Sequence, residues 1–240
     1  MCTTVKGRNG AAGAGWHVRC EPVNTALMGR RSQPDAAPSH DEARRRAAAA
    51  EAGHVGDEST ARRLLGDRSG RVRATALAAL ARLGRAGAAD VATGLADADP
   101  LVRRRACAVA ATAADVDPLA LVPLLDDPDP LVAEAAAWAL GERGAESAGA
   151  VEALVRVASA AEDALCREAA VAALGAVGDP AGLPAVLGAT TDKPAVRRRA
   201  VIALAAFEGP EVEAALRRAL EDRDWQVRQA AEDLLAGGDG

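Results

Sequence analysis

At 240 residues, half of them apolar but with one Phe, three Trp and no Tyr, the chain has the alanine-led composition of packed helices and lacks the β-branched and aromatic content a sheet protein of this size needs. The formal net charge of −5 is unevenly spread: residues 1–46 hold eight Lys/Arg against four Asp/Glu, and the remainder holds 21 against 30. An acidic body argues against a dedicated nucleic-acid binder, whose phosphate contacts need an excess of basic charge.

In chain order, residues 1–40 are rich in Gly, Pro, Ser and Arg and show no helical period, so they are expected to be a disordered basic leader, with Met28 a candidate for the true start. No run there is apolar enough for a signal peptide or a membrane span. Residues 237–240 are expected to be a flexible tail. Cys2, Cys20, Cys107 and Cys166 form no CxxC and no cluster with His17, His40 or His54, so no metal and no cofactor is expected. Cys107 and Cys166 replace small apolar residues inside repeats and read as core, which fits a reducing, cytoplasmic setting.

From Asp41 to Ala236 one short phrase returns seven times: ARRRAAAAE at Ala43, VRATALAAL at Val72, VRRRACAVA at Val102, VAEAAAWAL at Val132, CREAAVAAL at Cys166, VRRRAVIAL at Val196 and VRQAAEDLL at Val227. The starts are 29, 30, 30, 34, 30 and 31 residues apart, the period of a stacked repeat array. Each unit reads as two helices, the third full phrase giving LVAEAAAWALGERG and then VEALVRVASAA. Asp99-Pro100, Asp129-Pro130 and Lys193-Pro194 place Pro in a first turn, where its missing N–H costs nothing. Gly53, Gly84, Gly141 and Gly175 are expected to end helices in the left-handed conformation.

Counting the first residue of the phrase as zero, position four is Ala in all seven units: Ala47, Ala76, Ala106, Ala136, Ala170, Ala200 and Ala231. It shares a helical face with positions zero, seven or eight, and eleven, and that face is expected to be buried. Position one is Arg in six units, Arg44, Arg73, Arg103, Arg167, Arg197 and Arg228, with Ala133 the exception. Asp67, Asp97, Asp127, Asp192 and Asp222 commonly precede it by five or six residues. Such Arg and Asp side chains are expected to form a structural ladder of charge-assisted hydrogen bonds through the stack.

A turn Asp, then DP, then VRxxAAxALG, then a second helix ending LLxD resembles the HEAT repeat, in particular the short HEAT repeat of the bilin-lyase (PBS lyase) type. The resemblance implies an all-α, armadillo-like, right-handed α-solenoid of about six to seven two-helix repeats over residues 41–236, with one row of helices on an inner face that holds other proteins. Enzymes with similar repeats fit less well. A deoxyhypusine hydroxylase carries His-Glu pairs for a di-iron centre, and none of the three histidines here is followed by Glu. HEAT-like DNA glycosylases use a basic, aromatic inner face that this chain lacks. GxxxxGK[ST], GxGxxG between strand and helix, and HExxH are all absent.

Positions two, three, six and ten escape the repeat pattern and are expected to face the groove or its rim. They carry Arg104, Arg105, Glu134, Trp138, Glu142, Glu168, Arg198, Arg199 and Asp233, with Trp138 at a position that is Ala in most other units. Trp and Arg commonly anchor protein interfaces, whereas packing on a neighbouring helix is the plainer use of the ring. The arginine pairs would suit an acidic segment, interrupted by Glu134, Glu142 and Glu168. Trp225 is expected in the last inter-repeat turn, and Glu232 and Asp233 make the final helix polar, as suits a cap. The expected function is a non-catalytic scaffold or adaptor that binds a protein or peptide along the inner helices, with no membrane or nucleic-acid role. A bilin-lyase-like accessory protein acting on a tetrapyrrole-bearing partner is the alternative.

Overall fold

Why the repeats stack is visible in the computed structural model, which describes residues 39–237; the expectations for residues 1–38 and 238–240 lie outside them. The described residues form helices and no strand. The phrases lie on α1 (His40–Val55), α3 (Gly70–Arg82), α5 (Pro100–Ala110), α6 (Pro130–Arg143), α8 (Ala164–Val177), α10 (Pro194–Ala203) and α12 (Trp225–Gly237). The alternate elements are α2 (Glu58–Leu64), α4 (Ala88–Leu95), a 3-10 segment Pro118–Asp126, α7 (Val151–Ala160), α9 (Leu183–Ala189) and α11 (Pro210–Ala219). Each phrase helix packs on the next, and each second element packs on the phrase helix that follows it. The result is an all-helical solenoid of two-helix units.

The alanines at position four make this close stacking possible. Ala76, Ala106, Ala136, Ala170, Ala200 and Ala231 are fully buried, and their small side chains let neighbouring axes approach toward the short end of the usual range, about 8 Å. The first unit departs by one residue: Ala47 is exposed, Ala48 is half-buried in its place, and Ala49 and Ala52 are buried beside it. Its register starts at Arg44, so Arg45 takes the arginine position. A run of three Arg and four Ala carries no apolar landmark to fix the frame, which is why the shift is not visible in the sequence.

Helix starts follow local chemistry. Asp99 and Asp129 accept hydrogen bonds from the backbone N–H of Leu101 and Leu131, with Pro100 and Pro130 filling the first turn. In the third unit the second helix is 3-10, because Pro123 lacks the N–H an α-helix would use there.

The glycines behave differently from the expectation. Only Gly84 of the expected set is left-handed; Gly56, Gly144 and Gly178 also have positive φ and follow the ends of α1, α6 and α8. Gly53, Gly141 and Gly175 lie inside those helices for a packing reason. A Cβ on them would come within 2.8 Å, 3.1 Å and 2.9 Å of the Cα of Ala79, Ala173 and Ala203, respectively. Each of those alanines occupies position seven of the next phrase helix.

The core also takes in Cys107 and Cys166. Burial pushes the Cys107 thiol up to about 12, in keeping with a side chain that packs rather than reacts.

Candidate functional site

The turns set the spacing on which any surface site depends. Arg73 donates through Nε and Nη2 to the carboxylate of Asp97 at 2.8 and 2.6 Å, and through Nη1 to the Asp67 carbonyl at 2.8 Å. The same arrangement joins Arg103 to Asp127, Arg167 to Asp192 and Arg197 to Asp222, with Nε donating at 2.6–2.8 Å. Arg45 reaches Asp67 in this way at the start of the stack.

Each carboxylate therefore comes from the turn after the arginine, whereas the turn before it supplies a backbone carbonyl. Arg228, on the last described helix, donates to the Asp222 carbonyl at 2.7 Å and pairs with no carboxylate among the described residues. The same carboxylates brace their own turns: Asp97, Asp127 and Asp222 accept from the N–H of Asp99, Asp129 and Asp224. Hydrogen bonds from Arg73, Arg167 and Arg197 hold the carboxyls of Asp97, Asp192 and Asp222 below the usual carboxylate range.

At one joint the ladder has no rung. Between α6 and α8 the arginine position is Ala133, and the matching turn position, six residues before Arg167, is Ala161. Arg167 still donates to the Ala161 carbonyl at 2.7 Å, a bond that needs no particular side chain.

A shallow cavity of about 350 Å³ opens at this same joint. One wall is the α6 stripe of Glu134, Trp138 and Glu142, successive residues four apart and so one turn above another. The opposite wall is Leu165, Glu168 and four alanines of α8, Ala169, Ala172, Ala173 and Ala176, with Arg199 of α10 at the edge. Trp138 is 44% exposed, so a large part of its apolar surface is left in water. Glu168 takes an ion pair from Arg199 at 3.5 Å. Glu134 and Glu142 make no ion pair among the described residues. A second, smaller cavity of about 160 Å³ shares Ala172, Ala176 and Arg199 and continues onto α10 past Ile202.

Of the eight candidate partner-binding residues, the structure thus brings together Glu134, Trp138, Glu142, Glu168 and Arg199. Arg104 and Arg105 are exposed on α5, away from the cavity lining. Arg198 is half-buried on α10, and its Nε is shut from water without a hydrogen-bond partner. Asp233 is exposed on α12 and bonds Gln229, and Trp225 is exposed at the start of that helix.

Two contributions escaped the sequence reading. Leu165 lines the cavity, and its exposure is shared by Leu101 and Leu131 at the same place in two other units, a recurrence that could have marked it. Arg143 donates to the carbonyls of Ala110, Ala113 and Val116 at 2.7–3.1 Å, closing the end of α5 from α6. It falls at position eleven of its phrase, where the other units carry no Arg, so the repeat gave no signal for it.

No cluster of His, Cys, Asp and Glu suited to a metal occurs among the described residues, and none of their helices is long and apolar enough to cross a membrane.

Comparisons with known proteins agree with this architecture. An engineered protein of known structure is 22% identical over 75% of this chain and 97% of its own, with a TM-score of 0.59. The Escherichia coli protein YibA is 18% identical over 74% of this chain and 72% of its own, with a TM-score of 0.57. A search of curated proteins returns no match. The family model for HEAT repeats matches residues 116–195 and 189–236, about half of the chain and including both walls of the cavity. With the stacked helix pairs and the Arg-to-Asp joints between them, this match places the chain in the HEAT-repeat family.

Proposed function

We propose that the protein is a non-catalytic, cytoplasmic scaffold that binds a protein or peptide segment across the exposed face of its phrase helices, with Trp138 as the anchor. The observation that carries this reading is the half-exposed indole set in a cavity between α6 and α8. Leaving such a ring in water forfeits roughly 1.5–3 kcal/mol of burial that a partner can recover. Aromatic anchors in preformed pockets are where interface energy concentrates. Arg104, Arg105 and Arg198 flank the cavity helices along the same row and belong to the proposed surface.

The test is selection of a random dodecapeptide library on the full chain and, in parallel, on the Trp138→Ala chain. Because the ring is exposed, the variant is expected to keep the helical spectrum and melting temperature of the parent. Peptides enriched on the parent and lost on the variant support the reading. Equal enrichment on both, or enrichment on neither, removes it.

A further inference from the structure

We infer that the Trp138 cavity is built for a cationic side chain, an arginine in preference to a lysine, presented by an extended protein segment. This rests on the scaffold reading and specifies its occupant.

The α6 stripe holds the geometry. Trp138 stands between Glu134 and Glu142, each one helical turn away, so a cation placed over the indole face has a carboxylate on either side. Neither carboxylate has an ion pair among the described residues, and the one guanidinium at the cavity, Arg199, is already engaged by Glu168. The lining therefore carries three carboxylates against one guanidinium.

An apolar or anionic occupant would strip water from Glu134 and Glu142 and leave them unpaired, a cost of several-fold or more in affinity. A guanidinium satisfies both elements together: its plane stacks on the indole, its fork donates to a carboxylate, and its methylenes lie along the alanine wall of α8. The surroundings favour a segment over a free cation. The cavity continues into the smaller one on α10, and on the other side α5 offers Arg104 and Arg105, a basic rung suited to an acidic residue of the same segment. The acidic-segment expectation thus holds for the flanks at most, and the centre has the opposite preference.

The experiment uses a peptide whose enrichment on the full chain depends on Trp138. Its arginine is replaced by citrulline, which keeps the shape and removes the charge, and affinity is measured by fluorescence anisotropy. A loss of about tenfold is expected. Glu142→Gln and Glu134→Gln should each weaken the arginine peptide several-fold while leaving the citrulline peptide unchanged, a coupling that a merely structural role would not produce. Trp138-dependent peptides without Arg or Lys, or a citrulline peptide that binds within twofold of its parent, would overturn the cationic assignment and leave the scaffold reading standing. Absence of any Trp138-dependent peptide would instead remove the scaffold reading itself.

Discussion

Three glycine-to-alanine substitutions separate helix propensity from close packing. Alanine in place of a helical glycine gains up to about 1 kcal/mol. At Gly188, in α9, a Cβ meets nothing within 4 Å, so the gain should be kept, reduced to about 0.5 kcal/mol by its place near the helix end. At Gly175 the new Cβ falls 2.7 Å from the Ala203 Cβ and 2.9 Å from its Cα, roughly 1 Å inside ordinary carbon contact. Because one of those atoms is backbone, relief requires α8 and α10 to separate, at about 1–3 kcal/mol, and a net loss of up to about 2 kcal/mol remains.

Gly141, whose Cβ would lie 3.1 and 3.4 Å from the Ala173 Cα and Cβ, should come out near neutral. Read by thermal unfolding, with about 2–4 °C per kcal/mol for a domain of this size, Gly175→Ala should lower the midpoint by several degrees and Gly188→Ala raise it slightly. If Gly175→Ala stabilised the chain as much as Gly188→Ala, the helical glycines would not be packing devices, and the close-approach account of the phrase helices would fail.

The ladder makes a directional prediction: Arg103→Met leaves the Asp127 carboxylate without its guanidinium and should cost about 2–3 kcal/mol in urea melts, whereas Arg228→Met, which loses a bond to a backbone carbonyl only, should cost about 1 kcal/mol. The pH dependence follows from the lowered carboxyls of Asp97, Asp192 and Asp222, held down by their arginines. A carboxyl depressed in the folded state stabilises above its unfolded pKa of about 3.9, and that stability is lost as pH falls through the folded value. Urea stability should therefore be flat from about pH 7 to pH 5 and fall below about pH 4, with a shallower fall in Asp97→Asn.

The architecture was legible because a repeat is written many times. Position four, the Pro and Asp starts, and the two-helix division each had several copies to average over. What one copy determines alone was harder to read. The frame of the first unit was ambiguous in an Arg-Ala run, and Pro123 turned one expected α-helix into a 3-10 segment. The glycine error has a different cause. Gly141 and Gly144 are both plausible helix ends in sequence, and only the approach of Ala173 shows that the first serves packing and the second the turn. The ladder residues were named by spacing, but spacing could not say that a carboxylate reaches back to the preceding unit.

The surface is where sequence separated position from association. Trp138 stands out as a departure from mostly alanine copies, and Glu134 and Glu142 fall at positions that vary from unit to unit, yet their convergence with Glu168 and Arg199 depends on which helices adjoin and how closely. In a stack held by identical joints, departures from the repeat carry the information. Three coincide between α6 and α8: the longer 34-residue spacing of the phrases, the missing rung, and the cavity with its exposed indole. The rung is missing in a telling way. Loss of the arginine alone would leave a carboxylate half-buried and unpaired, and loss of the aspartate alone would strand a guanidinium. Here Ala133 and Ala161 replace both members, which frees the joint from the ladder without an electrostatic penalty. A joint relieved of the shared contact is one whose geometry its own side chains can set, and the side chains that face outward there are Trp138 and its two flanking carboxylates.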